Sequence, residues 1–161
     1  MKNNTNILVY GALLTAMAIV IPISFSFLRI QIPPFTATIG SHVPIFIAMT
    51  MGPGIAVFVA IGSSIGFLIT SSLVVAARAF THVFVGLLGA GFIQRGLSFF
   101  KAILITAPVH GILEATIVMP FGFTWFNILV VVGVGTVIHH LVDGTIAYGM
   151  VRSLQRTKSS K

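Results

Sequence analysis

Residues 73–94 read LVVAARAFTHVFVGLLGAGFIQ, and this stretch decides the fold. It holds one formal charge, Arg78, in an otherwise apolar run bounded by Thr70-Ser71-Ser72 before it and Gln94-Arg95-Gly96 after it. A helix of roughly 20 apolar residues crosses the hydrocarbon of a bilayer. The stretch is therefore read as a transmembrane helix that carries an arginine inside the membrane.

The rest of the chain follows the same pattern. Of 161 residues, 57% are hydrophobic and 7% charged, with mean hydropathy +1.10. About a quarter of a soluble domain is charged. A chain of this length has too little interior to hide so much apolar surface from water. The expectation is an all-α membrane protein, a compact single-domain bundle (1–161) of about six transmembrane helices. Helix 1 is expected over 6–27, before an irregular loop at 28–37 whose tandem Pro33-Pro34 cannot continue a helix. Helices 2 to 6 are expected over 38–51, 55–70, 73–94, 99–119 and 124–151. Met51-Gly52-Pro53-Gly54 and Pro120 with Gly122 mark two of the breaks. The leading MKNNTN, with no A-x-A site behind it, reads as the start of a retained first helix rather than a cleaved signal peptide.

The net charge is +7, yet the cations sit between apolar runs and make no basic patch of the nucleic-acid type. With the N-terminus in the cytoplasm, Lys2, Arg95, Lys101, Arg152, Arg156, Lys158 and Lys161 are cytoplasmic, as the positive-inside rule favours. Arg29 falls in an outer loop and Arg78 just inside the outer end of helix 4. No cysteine is present, so disulfide and thiolate chemistry are excluded. Small residues recur at four-residue spacing in Ala12/Ala16, Gly62/Gly66 and Gly86/Ala90, a pattern that lets helix backbones approach. Ordinary packing within the bundle accounts for any one such pair.

Ionisable groups inside a bilayer are costly and mark function. Arg78 and His82 share a helix face at i, i+4, and so do His110 and Glu114. Arg78 suits an anionic ligand, or a structural ion pair with Glu114, or an arginine snorkelling to the interface. Glu114 suits a donor on a ligand, or Arg78. His139 and Asp143 share a face and satisfy one another as an interior network, while His140 points elsewhere. Arg29, Gln31, His42, Trp125 and Asn127 gather at the outer mouth. There an aromatic and an amide can stack on and orient a flat ligand, although Trp125 also reads as an interfacial anchor. A metal site from His110, Glu114, His139 and Asp143 is conceivable if helices 5 and 6 align them. No phosphate-binding loop and no H-E-x-x-H occurs, and no G-x-S-x-G motif is expected.

The chain resembles the S components of energy-coupling factor (ECF) transporters. The resemblance covers length, helix number, cytoplasmic termini, a basic tail and a long first loop. Its most specific local feature is Ala12-Leu13-Leu14-Thr15-Ala16, similar to the A-x-x-x-A pattern with which S components dock on the membrane T component. The stretches FTATIGSHVPIFIAMTMGPGIAVFVAIGSSIGF from Phe35 and VVAARAFTHVFVG from Val74 are similar to S components for niacin, pyridoxine or hydroxymethylpyrimidine. The resemblance implies a non-enzymatic subunit of the bacterial cell membrane, without cofactor, that captures a small vitamin from outside under a first-loop lid. Its partners are the T component and two cytoplasmic ATPase subunits. Arg78, His82, His110, Glu114, Asn127, Trp125, Gln31 and His42 are then the substrate-binding candidates, and Ala12 and Ala16 the docking residues. An intramembrane enzyme built on the histidines and acids, or a stand-alone carrier, is the alternative on residues alone.

Overall fold

The computed structural model describes residues 4–159. Met1–Asn3, Lys2 among them, and Lys161 lie outside the described residues, as does the side chain of Lys158. Helix α1 spans Asn4–Ser24, α3 Pro53–Thr70, α4 Leu73–Phe80, α5 His82–Gln94, α6 Phe99–Val118 and α7 Gly135–Ser159. A π-helical segment, Asn127–Val134, runs directly into α7. Among the described residues, five helical stretches are long and apolar enough to cross a membrane, Thr5–Ser24, Pro53–Thr70, Leu73–Gln94, Phe99–Phe121 and Asn127–Arg156.

The region between α1 and α3 differs from its expectation. The loop expected to be irregular is a short 3-10 turn, Ser26–Leu28, followed by an antiparallel hairpin of β1 (Arg29–Ile32) and β2 (Phe35–Thr38). Arg29 pairs with Thr38 and Ile32 with Phe35, so Pro33-Pro34 occupies the turn, where a missing N–H costs nothing. The helix expected over 38–51 contracts to α2, Val43–Met49. Thr38 is its first departure, because it ends a strand. Seven residues at about 1.5 Å each reach about a third of the way across a bilayer. Gly52, at φ 126°, and Pro53, at the first turn of α3, stop the descent and start the next helix.

Ser72 caps α4 and Ser98 caps α6, each hydroxyl accepting a backbone N–H three residues on at 3.4 Å. Between α4 and α5 the span pauses at Thr81, whose hydroxyl donates to the Arg78 carbonyl at 2.7 Å. The glycines fix the directions of the helices. Gly11 faces Ile55, Gly62 faces Thr15 and Gly66 faces Ile19, so α1 and α3 run parallel. Gly86 packs on Ala56 and Gly52 lies near Gln94, so α5 runs antiparallel to α3. Gly144 meets Ile103 and Gly111 meets Gly133, so α7 runs antiparallel to α6.

At Gly66 a Cβ would stand 2.9 Å from the Ile19 Cα and 3.0 Å from its carbonyl oxygen, and backbone cannot step aside as a side chain can. Gly66→Val should therefore destabilise the bundle by about 1–3 kcal/mol. Gly91→Ala, whose Cβ would meet nothing within 4 Å, should leave the melting temperature in place or raise it. Thermal unfolding in detergent reads both, and equal melting temperatures would refute the packing account.

Large apolar side chains cover the outside: Leu8, Phe58, Leu73, Ile112 and Ile138 are all more than half exposed. The interior has an apolar core around Ile45, Phe46, Met49, Val59, Val85 and Ile103, and beside it a set of buried ionisable groups. This inside-out distribution suits a hydrocarbon solvent rather than water.

Candidate functional site

The buried charges converge below the β1–β2 hairpin. Arg78, on α4, donates from Nε to Glu114 Oε2 on α6 at 2.8 Å, and its Nη2 lies 2.6 Å from the same oxygen. The guanidinium also reaches the hairpin, with Nη1 3.3 Å from the Pro34 carbonyl and Nη2 3.4 Å from that of Thr36. Its central carbon lies 5.0 Å from the centre of the Phe35 ring. One side chain thus ties α4, α6 and the hairpin turn together.

Glu114 uses its two oxygens differently. Oε2 accepts from Arg78 and from the Thr136 hydroxyl on α7 at 2.5 Å. Oε1 faces two rings, His110 Nε2 at 3.2 Å and His82 Nε2 at 3.9 Å.

Asp143, on α7, is the second anchor. Its Oδ1 accepts from the Gly40 backbone N–H at 2.7 Å. Its Oδ2 accepts from the His42 N–H at 3.0 Å and from His42 Nδ1 at 2.9 Å, and lies 3.1 Å from His139 Nε2. A carboxylate 0% exposed therefore holds the end of the hairpin and the start of α2. His139 Nε2 also stands 3.2 Å from the Thr38 carbonyl.

All five histidines of the chain join this network. His42 Nε2 lies 3.0 Å from His82 Nε2, and His82 Nδ1 is 3.5 Å from the Ser63 hydroxyl of α3. His110 Nδ1 lies 3.0 Å from His140 Nδ1, and His140 Nε2 donates to the Ile103 carbonyl at 3.0 Å.

A void of about 20 Å³ sits in the network, lined in part by Thr36, His42, Arg78, His82, Glu114 and His139. A wider crevice of about 300 Å³ adjoins it between the hairpin turn and the start of α4. Thr36 and Val75 border both spaces, and Gln31, Pro33, Pro34, Ser72 and Phe123 line the outer one. The hairpin is the roof between them.

The candidate residues fall into two groups. Arg78, His82, His110, Glu114 and His42 are brought together in the interior, with His42 deeper than the outer mouth where it was expected. Gln31 is exposed on β1 and lines the outer crevice. Trp125 is 67% exposed and Asn127 is half-buried at the start of the π-helical segment; neither lines the inner void. Ala12 and Ala16 are exposed along α1.

His140 points to another side of α7 from His139 and Asp143, where it completes a relay from His110 to the Ile103 carbonyl. Two expectations need correction. The conceivable metal quartet is replaced by other groupings: among the described residues, ligand atoms within 4.8 Å of one another are those of His42, His82 and His110, and those of His42, His139 and Asp143. Gly62-Ser63-Ser64-Ile65-Gly66 does read G-x-S-x-G, but it lies inside α3 rather than at a strand–helix elbow. Ser64 donates to the Ala60 carbonyl at 3.0 Å, as helix serines do.

Helices of spanning length, an apolar exterior and an ionisable interior define a multi-pass membrane protein. Over 166 aligned residues the chain is 28% identical to a protein named Niacin transporter NiaX, from Lactococcus lactis subsp. cremoris (strain MG1363). The alignment covers 92% of this chain and 74% of that relative. It agrees with the resemblance to S components, on its niacin side. No protein-family model matches the chain, and no solved structure matches it.

Proposed function

We propose that this chain is the S component of an ECF-type importer and captures a niacin-like ring vitamin from outside. The observation that carries this reading is the ionisable chamber under a hairpin, inside an otherwise apolar bundle. Arg78, Glu114, His82, His110 and His42 form its floor and walls, and the β1–β2 hairpin is its lid. The likeness to a niacin transporter supports a heteroaromatic carboxylic acid over pyridoxine or hydroxymethylpyrimidine. Arg78 binds the carboxylate, because its guanidinium presents parallel donors to two oxygens.

Ligand pockets usually measure about 300–1,000 Å³. The inner void of about 20 Å³ is far smaller, so the ring enters only when the hairpin lifts. Arg78 then exchanges its 3.3 and 3.4 Å contacts with the hairpin carbonyls for the ligand. Gln31 and the outer crevice meet the ring first.

The topology in this reading is six helical passes with both termini cytoplasmic. The parallel run of α1 and α3 supports it, since the chain must descend through α2 in between. Arg95, Lys101, Arg152 and Arg156 are all exposed at the ends that this topology assigns to the cytoplasm. The T component docks on the exposed Ala12/Ala16 face of α1, and two cytoplasmic ATPases drive release.

Titration calorimetry on the purified chain tests the capture step. Saturable one-site binding of niacin, tighter than that of pyridoxine or hydroxymethylpyrimidine, is the expected result. No heat from any of the three rings sinks the reading. Uptake by cells that also make the T component and ATPases tests the docking face. Ala12→Trp with Ala16→Trp should abolish uptake while binding by the purified chain persists.

A further inference from the structure

We propose that His42, His82 and His110, with Glu114 beside them, hold a divalent transition-metal ion of the zinc kind, and that this ion is a counter-charge for the carboxylate of the captured ring. The second clause rests on the function proposed above; the ion site does not.

The argument starts from where the ring protons lie. His140 Nε2 is 3.0 Å from the Ile103 carbonyl, which accepts only, so that nitrogen carries the proton. His140 Nδ1 is then an acceptor, and the proton between it and His110 Nδ1, 3.0 Å away, belongs to His110. With a neutral ring, His110 Nε2 is left with a lone pair. It is completely buried and makes no hydrogen bond. It faces Glu114 Oε1 at 3.2 Å, so two electron pairs confront each other with no proton between them. A buried polar atom in that condition calls for a cation.

His42 repeats the arrangement. Its Nδ1 donates to Asp143 at 2.9 Å, so its Nε2 also presents a lone pair, 3.0 Å from His82 Nε2. His82 Nδ1 faces the Ser63 hydroxyl at 3.5 Å, and because a hydroxyl can donate or accept, His82 Nε2 can take either role. The three rings offer nitrogens that all lie within 4.8 Å of one another.

Coordination geometry agrees. Tetrahedral zinc with bonds of about 2.0–2.1 Å has ligand atoms about 3.3 Å apart. The His42–His82 edge is 3.0 Å and the three rings close within 4.8 Å as a set, while Glu114 Oε1 stands outside that set, 3.2 Å from His110 and 3.9 Å from His82. Three imidazoles suit zinc, cobalt or nickel rather than calcium or magnesium. Each ring has an outer partner on its far nitrogen: Asp143, Ser63 or His140. Such partners orient metal-bound imidazoles and raise their basicity. The neighbouring void of about 20 Å³ has single-atom dimensions.

Charge supplies the link to the ligand. With neutral imidazoles, Arg78, Glu114 and Asp143 sum to one net negative charge. A carboxylate entering that chamber would make it doubly negative in a low-dielectric interior. A divalent ion changes the sum to one positive charge, and the carboxylate then brings it to zero.

The test uses the full chain in detergent, freed of any affinity tag and stripped with chelator. Zinc chloride is titrated by calorimetry, and cobalt chloride is followed by its visible spectrum. The expected result is one ion per chain, with the intense bands of tetrahedral cobalt. His82→Gln and His110→Gln should each weaken zinc binding about 100-fold, and His140→Phe, which removes an outer partner, about 10-fold. Niacin affinity should fall at least tenfold on stripping and return with zinc. The wild type alone is decisive if the variants do not fold: a stripped wild-type chain that takes up neither ion overturns the proposal. Zinc affinity unchanged in both Gln variants overturns it too, as does niacin binding that is equally tight with and without zinc. Zinc uptake with no niacin binding in either state upholds the ion site and defeats the proposed capture function instead.

Discussion

Arg78→Ala should abolish vitamin binding and also lower stability by about 3–5 kcal/mol, the usual cost of leaving a buried carboxylate without its partner. Glu114 is 3% exposed, and Arg78 supplies its two contacts of 2.8 and 2.6 Å to Oε2. Removing the guanidinium leaves Thr136 as the remaining donor to that oxygen and frees the Pro34 and Thr36 carbonyls of the hairpin turn. Two further variants separate stability from recognition. Arg78→Ala with Glu114→Gln removes the stranded charge, so it should regain most of the lost melting temperature and none of the binding. Arg78→Lys keeps a charge but presents a point rather than a fork, so binding should weaken without vanishing. Calorimetry and thermal unfolding in detergent read the two effects. A melting temperature unchanged by Arg78→Ala would show that Glu114 is not held as described.

Asp143→Asn should loosen the roof of the chamber from the opposite side. The carboxylate accepts the Gly40 and His42 backbone N–H groups at 2.7 and 3.0 Å and lies 2.9 and 3.1 Å from ring nitrogens of His42 and His139. An amide has one acceptor oxygen, so one side of this arrangement meets an NH₂ group instead. Each hydrogen bond to a charged group contributes about 1.5–3 kcal/mol. The expected loss is of that order, with at least a tenfold fall in vitamin affinity. It should also raise amide exchange at residues 40–43, where the backbone loses its acceptor. Exchange in that segment identical to the wild type would contradict the anchoring role.

These two residues show what a sequence discloses and what it withholds. Arg78, His82, His110 and Glu114 were legible because a charge in an apolar run is costly, and i, i+4 spacing places each pair on one face. The five long apolar runs were legible for the same reason, since lipid leaves a compositional record. Asp143 was legible as polar but not as the anchor of Gly40, which lies 103 residues away along the chain. Helical spacing reports on one helix and is silent about the strand or loop packed against it. The hairpin escaped for a local reason. Its strands are four residues each, RIQI and FTAT, and its turn is Pro33-Pro34 rather than the Asn-Gly or Asp-Gly that announces a hairpin. The shortness of α2 was hidden by its composition, because IGSHVPIFIAM is as apolar as a spanning helix. Its polar opening, Ser41 and His42, serves the interior rather than a membrane surface. Neighbouring positions on a helix diverge by about 100°, so His139 and His140 find separate partners where hairpin and helix pack on α7 from different sides, and those partners are not visible from spacing alone.

The parallel contact of α1 with α3 has a consequence for how such a molecule can change. No side chain of α1 lines the inner void, and α3 contributes to the histidine network through Ser63. Cargo chemistry is written on the hairpin, α3 to α7 and the segment entering α2, whereas the outward face of α1 is written separately. Mutations that adapt the chamber to another ring can therefore accumulate without disturbing that outward face, and the two vocabularies can diverge at their own rates.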